Sequence, residues 1–164
     1  MFQPTLKFQE EYSAKIPALT LLMNLGWTYL TPSQANAYRD SKLDQVVLTH
    51  VFRRELAKRT FVYAGSSHAI STNAIDNLID HITHPPLGEG LLTANERIYN
   101  HLVYGISVTE FVDGKKVNPT ISLIDWADIN NNDFSFTEEY TITRSGGIDN
   151  RRPDIVCFVN GIPL

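Results

Sequence analysis

The sequence predicts an α/β fold, because its first half carries helical patterns and its second half carries strand patterns. Up to Gly105 the apolar residues recur every three or four positions, and beyond Gly105 they recur every second position. A chain of 164 residues, with 43% hydrophobic and 20% charged residues, is long enough to bury the core of one domain. This composition excludes a disordered chain.

The chain carries no sequence pattern of a membrane or secreted protein. No run of about 18 apolar residues is present, and the first residues lack the basic start and apolar centre of a signal peptide. The single cysteine, Cys157, excludes an internal disulfide and a cysteine-based zinc site. We therefore expect a cytoplasmic protein with no membrane contact.

Four helices and one short strand are predicted before Gly105. The spacing predicts helices over 13–26, 41–59, 72–83 and from Thr93 to about Val103, with a short strand from Trp27 to Leu30. Pro17 belongs in the first turn of the first helix, and Gly26 ends it. Pro85 ends the third helix, while Thr93 and Glu96 form a capping box that opens the fourth.

The second half reads as strands joined by tight turns. The predicted strands are Ile106 to Val112, Val117 to Ile124, Phe134 to Ile142 and Asp154 to Val159. The last of these is a nearly continuous apolar run, which is typical of a strand buried on both faces. Asp113-Gly114 and Asn160-Gly161 are hairpin turn signals. Because the chain stops just after the second turn, we expect it to continue in a longer protein.

Two segments carry opposite charge within a chain of net charge −4. Residues 39–59 hold six basic and three acidic residues, a sum of +3, and residues 106–143 hold seven acids and two lysines, a sum of −5. Arg54 and Lys58 would form one outward pair on the predicted helix and could follow a phosphate backbone. The competing interpretation is an ordinary solvated helix face. The acidic stretch would suit a basic protein partner.

Asp154 is the residue whose position most favours chemistry. It follows Arg151-Arg152-Pro153 and opens an otherwise apolar strand, so its carboxylate could bind an oxygen-ligated metal such as Mg²⁺. Alternatively, it forms a salt bridge with Arg151 or Arg152, or caps the loop. The two arginines could hold a DNA phosphate or could simply neutralise Asp154. Asp125, at the end of another strand, is expected to have a structural role.

The segment RRPDIVCFVNGIPL, residues 151–164, resembles the nuclease domain of the R (restriction and motor) subunit of type I restriction enzymes. That family belongs to the PD-(D/E)-x-K nuclease superfamily. Three further stretches are similar to its first helix, its middle helix and its central strands: Glu10 to Trp27, Ala94 to Gly105, and Ser122 to Phe134. The similarity runs in order over residues 8–164. It implies a restriction-endonuclease-like fold with a mixed central sheet flanked by helices.

The resemblance also implies site residues. Asp154 matches the motif aspartate, a metal ligand, and the acid of the family's first helix matches Glu10 or Glu11. Glu11, 15 residues before Gly26, is the preferred second ligand. The family's Glu-x-Lys pair would fall beyond Leu164. Residues 1–164 are thus expected to be a single N-terminal endonuclease domain that stops before the Glu-x-Lys strand and lacks the helicase-like motor domains. We expect this fragment alone to be inactive.

The implied activity is that of a type I site-specific deoxyribonuclease. Its Mg²⁺-dependent endonuclease domain would cleave phosphodiesters of double-stranded DNA in the restriction of foreign DNA, while the parent protein binds ATP outside these residues. The implied partners are double-stranded DNA and the modification (methyltransferase) and specificity subunits. The alternative is a non-catalytic docking module that contacts the motor or the methyltransferase subunits.

Overall fold

A computed structural model describes residues 14–144 and 149–164. The five helices are α1 Ile16–Asn24, α2 Pro32–Ala37, α3 Thr49–Leu56, α4 Thr72–Thr83 and α5 Leu91–Tyr104. The first seven strands are β1 Thr28–Leu30, β2 Thr60–Tyr63, β3 Ser66–Ala69, β4 Ile106–Ser107, β5 Glu110–Val112, β6 Lys115–Val117 and β7 Thr120–Ile121. The last five are β8 Phe134–Glu138, β9 Ile142–Thr143, β10 Asn150–Arg151, β11 Ile155–Val159 and β12 Ile162–Pro163. The predicted α/β class is confirmed.

The main sheet has four strands in the order β1-β8-β11-β12. β1 runs parallel to β8, whereas β11 runs antiparallel to both β8 and β12, so the sheet is mixed as expected. Phe136 of β8 and Phe158 of β11 are both fully buried. They lie on opposite faces of the sheet, because Phe136 pairs with Cys157, the residue before Phe158. β11 is therefore an interior strand, in agreement with its apolar sequence.

Two groups of apolar side chains form the core. The larger joins α3 and α4 to the small hairpins around β2, β4 and β7, with Phe52, Leu56, Leu78, Ile121 and Leu123 nearly inaccessible. The smaller lies between the main sheet and the α2–α3 region and contains Ala35, Leu48, Val51, Tyr140 and Phe158. The α3 helix contributes to both groups, and so links the sheet to the rest of the domain.

The predicted helix over 41–59 is wrong in its first half. Asp40 and Ser41 adopt left-handed backbone angles, with φ of 57° each, and regular helix begins only at Thr49. The buried Arg39 explains this, because its guanidinium donates to the carbonyl oxygens of Gln45 and Thr141 and holds the intervening chain in turns. Helix α2 was not predicted, although Thr31 and Gln34 form a capping box around Pro32.

The other helices follow their sequence signals more closely. α4 occupies the predicted residues 72–83, and α1 ends before Gly26, whose φ is +89°. The predicted capping box at Thr93 is wrong, because α5 begins two residues earlier, at Leu91, with Gly90 as its N-cap. Gly105 ends α5 as predicted, with φ of +80°.

The predicted strands after Gly105 contain strands but are too long, and the hairpin of β2 and β3 was not predicted. The Asp113-Gly114 turn joins β5 to β6, but the predicted arms are broken into β4 and β5 on one side and β6 and β7 on the other. The strand that begins at Phe134 ends at Glu138, because Glu139 has a φ of +51° and turns the chain. No helix in the described ranges is long and apolar enough to cross a membrane.

The Asn160-Gly161 turn forms the predicted hairpin and has a second role. Its φ angles of 53° and 81° join β11 to β12, as the sequence signal requires. The turn is also buried against the start of α3, where the amide of Leu48 donates to the carbonyl oxygen of Gly161 over 2.8 Å. The Asn160 side chain donates to the carbonyl oxygen of Leu123 and accepts from the amide of Asp133. The turn is thus hydrogen-bonded to three separate parts of the chain, at Leu48, Leu123 and Asp133.

Candidate functional site

Asp154 lies directly before β11, at the end of the sheet opposite to the Asn160-Gly161 turn. The residue is exposed, and its carbonyl oxygen accepts a hydrogen bond from the amide of Glu139 over 3.0 Å. Within 14–144 and 149–164, its carboxylate forms no hydrogen bond or ion pair. Arg152 contacts Glu139 over 3.4 Å instead, and Arg151 belongs to β10, paired with Ile142. The carboxylate is therefore open to a ligand from solvent.

A compact group of charged side chains stands beside Asp154. The ammonium group of Lys15, just before α1, lies 2.6 Å from Glu138 and 3.2 Å from Glu139. The hydroxyl of Tyr29 donates to Glu138 over 2.8 Å. Because Lys15 precedes α1 while Glu138 and Glu139 end β8, these bonds hold the start of α1 against the end of the sheet that carries Asp154.

The charges in this group perturb one another. The hydrogen bond from Lys15, reinforced by that from Tyr29, lowers the pKa of Glu138. The two glutamates raise the pKa of Lys15 well above its usual range. Burial and the nearby Glu138 raise the pKa of Tyr29. At neutral pH the lysine and Glu138 are both ionised, and the tyrosine is a neutral hydrogen-bond donor.

Replacing Glu138 with glutamine should weaken the fold more at neutral pH than in acid. The lowered pKa of Glu138 stabilises the folded state fully above its ordinary value of 4.5, and this stabilisation is lost as pH falls through the lower folded value. We expect Glu138→Gln to reduce the free energy of unfolding by about 1 kcal/mol at pH 7 and by progressively less as the pH falls below 4.5. Urea unfolding at pH 7 and near pH 3 measures this, with the exposed Glu96→Gln as the control. A cost that is equal at both pH values would contradict it.

The described residues offer only part of a metal site. They contain no group of three or more histidine, cysteine, aspartate or glutamate side chains able to hold a metal ion. Mg²⁺ accepts fewer protein ligands, since it keeps several waters and is often bound by one or two carboxylates together with substrate phosphate. The exposed oxygen ligand of Asp154 fits that chemistry. The predicted ligands Glu10 and Glu11 lie outside the described residues.

The predicted DNA contacts Arg54 and Lys58 lie far from Asp154. β11 separates the two regions, and six residues of extended chain span roughly 20 Å. Both side chains converge on Glu55, which is 3% exposed: Arg54 donates to it over 2.9 Å and Lys58 over 2.6 Å. These ion pairs lower the pKa of Glu55 although burial opposes its ionisation. The expected i,i+4 pair on one helix is wrong, because α3 ends at Leu56.

Neither charged segment forms a single surface. In the basic segment Arg39 is 1% exposed, and Arg53 pairs with Asp76. In the acidic stretch, the buried Glu110 accepts from the amide of Ser71 at the start of α4. Asp125 accepts from the amides of Ala127 and Asp128, the structural role expected for it. Acids of the stretch 106–143 are thus bonded within the fold. Its net charge of −5 therefore gives little support to docking through an acidic face.

Comparison with known proteins decides the family. A model of the family "Type I restriction enzyme R protein N terminus" matches residues 7–164. This chain belongs to that family. The putative type I restriction enzyme MjaIXP endonuclease subunit of Methanocaldococcus jannaschii is 25% identical to it over 180 residues, which cover 100% of the chain and 15% of that relative. The type I restriction enzyme HindI endonuclease subunit of Haemophilus influenzae is 29% identical over 156 residues, which cover 91% of the chain and 14% of that relative.

The chain thus spans about one seventh of the length of these R protein relatives. Within it, the sequence marks Asp154 as a candidate but gives no sign of the charged group beside it. Lys15 and Glu138 are 123 positions apart, and no local pattern marks them as partners. The one sequence signal was the alternation of side chains along β8, which places Glu138 on the same face as Phe136. The resemblance to the R protein family, by contrast, is confirmed by the family model over residues 7–164.

Proposed function

We propose that this chain is the Mg²⁺-dependent endonuclease domain of an ATP-dependent type I restriction enzyme, which cleaves phosphodiesters of double-stranded DNA. The observation that carries the proposal is the carboxylate of Asp154, exposed at the start of an interior strand and without a partner in the described part of the chain. The family supports it, because the named relatives are endonuclease subunits of type I restriction enzymes.

Asp154 would hold Mg²⁺, together with Glu11 or Glu10, ligands from the chain that follows Leu164, and waters. When bound, Mg²⁺ orients an attacking water and neutralises charge that develops on the phosphate. The chain's own contribution is positional. Lys15 fixes the start of α1, the element that follows Glu10 and Glu11 in sequence, against the sheet near Asp154.

DNA binding would depend mainly on phosphate contacts with little base preference. We propose Arg151 and Arg152 as contacts near Asp154, and Arg54 and Lys58 as contacts at the other end of the sheet. Arg151 and Arg152 are exposed, and Arg152 is 62% accessible despite its contact with Glu139. The proposed partners are the modification and specificity subunits, with ATP bound elsewhere in the parent protein. We place the complex in the cytoplasm.

A metal-exchange assay on the complete protein tests this function. With its partner subunits, ATP and plasmid DNA, we expect double-strand cleavage in Mg²⁺, none in EDTA, and recovery when Mg²⁺ is restored. Cleavage that continues in EDTA would show that the reaction does not need a metal ion. A complete protein that hydrolyses ATP but cuts DNA in no divalent metal ion would instead favour the docking module.

A further inference from the structure

A second polar site lies at the end of the sheet away from Asp154. A cleft of about 840 Å³ opens between the end of α3 and the loop 124–133. This volume falls in the range of small-molecule and cofactor sites. Its wall includes Arg54, Lys58, Arg59, Trp126, Asn130 and Asn131. Cations, side-chain amides and an aromatic ring thus face one concave surface.

The wall of the cleft holds three cations and three acids, of which the cations Arg54 and Lys58 are the most exposed. Arg54 and Lys58 are 50% and 62% exposed, whereas Glu55 between them is 3% exposed. The other two acids in the wall, Asp133 and Asp125, are 26% and 25% exposed. An approaching molecule therefore meets the ammonium and guanidinium groups before it meets the carboxylates. This arrangement suits an anionic ligand such as a phosphodiester.

Trp126 gives the cleft an aromatic surface. The side chain is 66% exposed, and its indole nitrogen donates to the carbonyl oxygen of Leu102 over 2.9 Å. The bond fixes one edge of the ring. Asp125 holds the following loop by accepting from the amides of Ala127 and Asp128. The ring is therefore held in place without being covered, as a stacking platform requires.

The wall also retains unused hydrogen-bonding capacity. Arg59 Nε and Asp133 Oδ1 are buried and have no hydrogen-bond partner in the described part of the chain. Such atoms are uncommon in folded proteins and call for a partner from water or a ligand.

We propose that this cleft binds an unpaired stretch of DNA, with one base stacked on Trp126 and phosphates against Arg54 and Lys58. A base inside a duplex does not offer its face to a side chain, whereas a single strand offers both base faces and phosphates. The inference rests on the proposed DNA function and adds to it a stacking site for unpaired DNA roughly 20 Å from Asp154.

Oligonucleotide binding to the complete protein tests the site. Fluorescence anisotropy in EDTA, with a labelled oligothymidine of about 15 nucleotides and a blunt duplex of equal length, separates binding from cleavage. We expect Trp126→Ala to weaken single-strand binding about tenfold, the loss of one stacked base, and duplex binding by less than twofold. Trp126→Phe keeps a ring and should retain most of the affinity. Phe111→Ala, an equally exposed aromatic on β5, is the matched control.

Salt dependence tests the phosphate contacts. Exchanging Arg54 and Lys58 for glutamine should flatten the log–log salt dependence of oligothymidine binding by up to about 1.4 units, since each single-strand phosphate contributes about 0.7. Equal losses for single strand and duplex in Trp126→Ala, or no loss beyond that of Phe111→Ala, would overturn the proposal. Full competition by millimolar dTMP or ATP would also overturn it, because the cleft would then be a mononucleotide pocket. A protein that binds as expected but never cuts would refute only the nuclease function.

Discussion

Asp154→Asn should abolish DNA cleavage by the complete protein while ATP hydrolysis continues. Asparagine has nearly the shape of aspartate but no charge, so it loses the anionic ligand that Mg²⁺ prefers. The backbone bond from Glu139 to the carbonyl of residue 154 does not involve the side chain, so the strand should form unchanged. Even changes to groups that only orient metal ligands cost 10–100-fold. We expect a loss of about 100-fold or more in the cleavage rate.

Asp113→Asn provides the matched control for Asp154→Asn. Asp113 is exposed in the β5–β6 turn with a φ of 50°, a conformation that asparagine adopts readily. The substitution removes the same charge far from β11, so cleavage should stay at the wild-type rate. Plasmid cleavage and ATPase rates, measured on the same preparations, separate loss of the nuclease from loss of the motor. If the Asp154→Asn protein cuts as fast as the Asp113→Asn protein, Asp154 is not a metal ligand.

The helices and turns whose conformation depends on neighbouring residues were predicted correctly from the sequence. α4 has an apolar face at helical spacing, with Ser71 capping its first turn, and it forms where predicted. The Asn160-Gly161 turn needs two left-handed residues in a row, which these residue types supply. The segment 41–48 was mispredicted because its conformation depends on distant contacts. Arg39 reaches the carbonyl oxygen of Thr141, 102 positions away, and stacks on Tyr140 with its guanidinium 4.1 Å from the ring centre.

The same distinction applies to the candidate sites. Asp154 is a candidate that a motif of adjacent residues marks in the sequence. Lys15 and Trp126 carry no such mark, since their contacts with Glu138 and with Leu102 are made by the fold. Arg54 and Lys58 are exposed, as their charge spacing predicted, but no local pattern shows that both contact one buried acid, Glu55. A buried carboxylate draws nearby cations toward it because it must be paired.

Gly161→Ala should destabilise the fold much more than Gly114→Ala. A β-carbon at this position would lie 2.7 Å from the carbonyl oxygen of Leu48 and 3.0 Å from the amide nitrogen of Phe52. Both are backbone atoms at the start of α3, so the helix must move and the bond from Leu48 to Gly161 would weaken. With the strain of a φ of +81°, we expect a loss of about 3 kcal/mol or more.

Gly114→Ala separates the two causes of this loss. Gly114 has a similar φ of +75° in the β5–β6 turn, but nothing lies within 4 Å of the position of an added β-carbon. Its cost should be the backbone strain alone, about 1 kcal/mol. Urea unfolding at 25 °C measures both variants, and equal losses would show that the contact with α3 contributes nothing. A larger loss at Gly161 would show that the close contact of the turn with α3 contributes to stability.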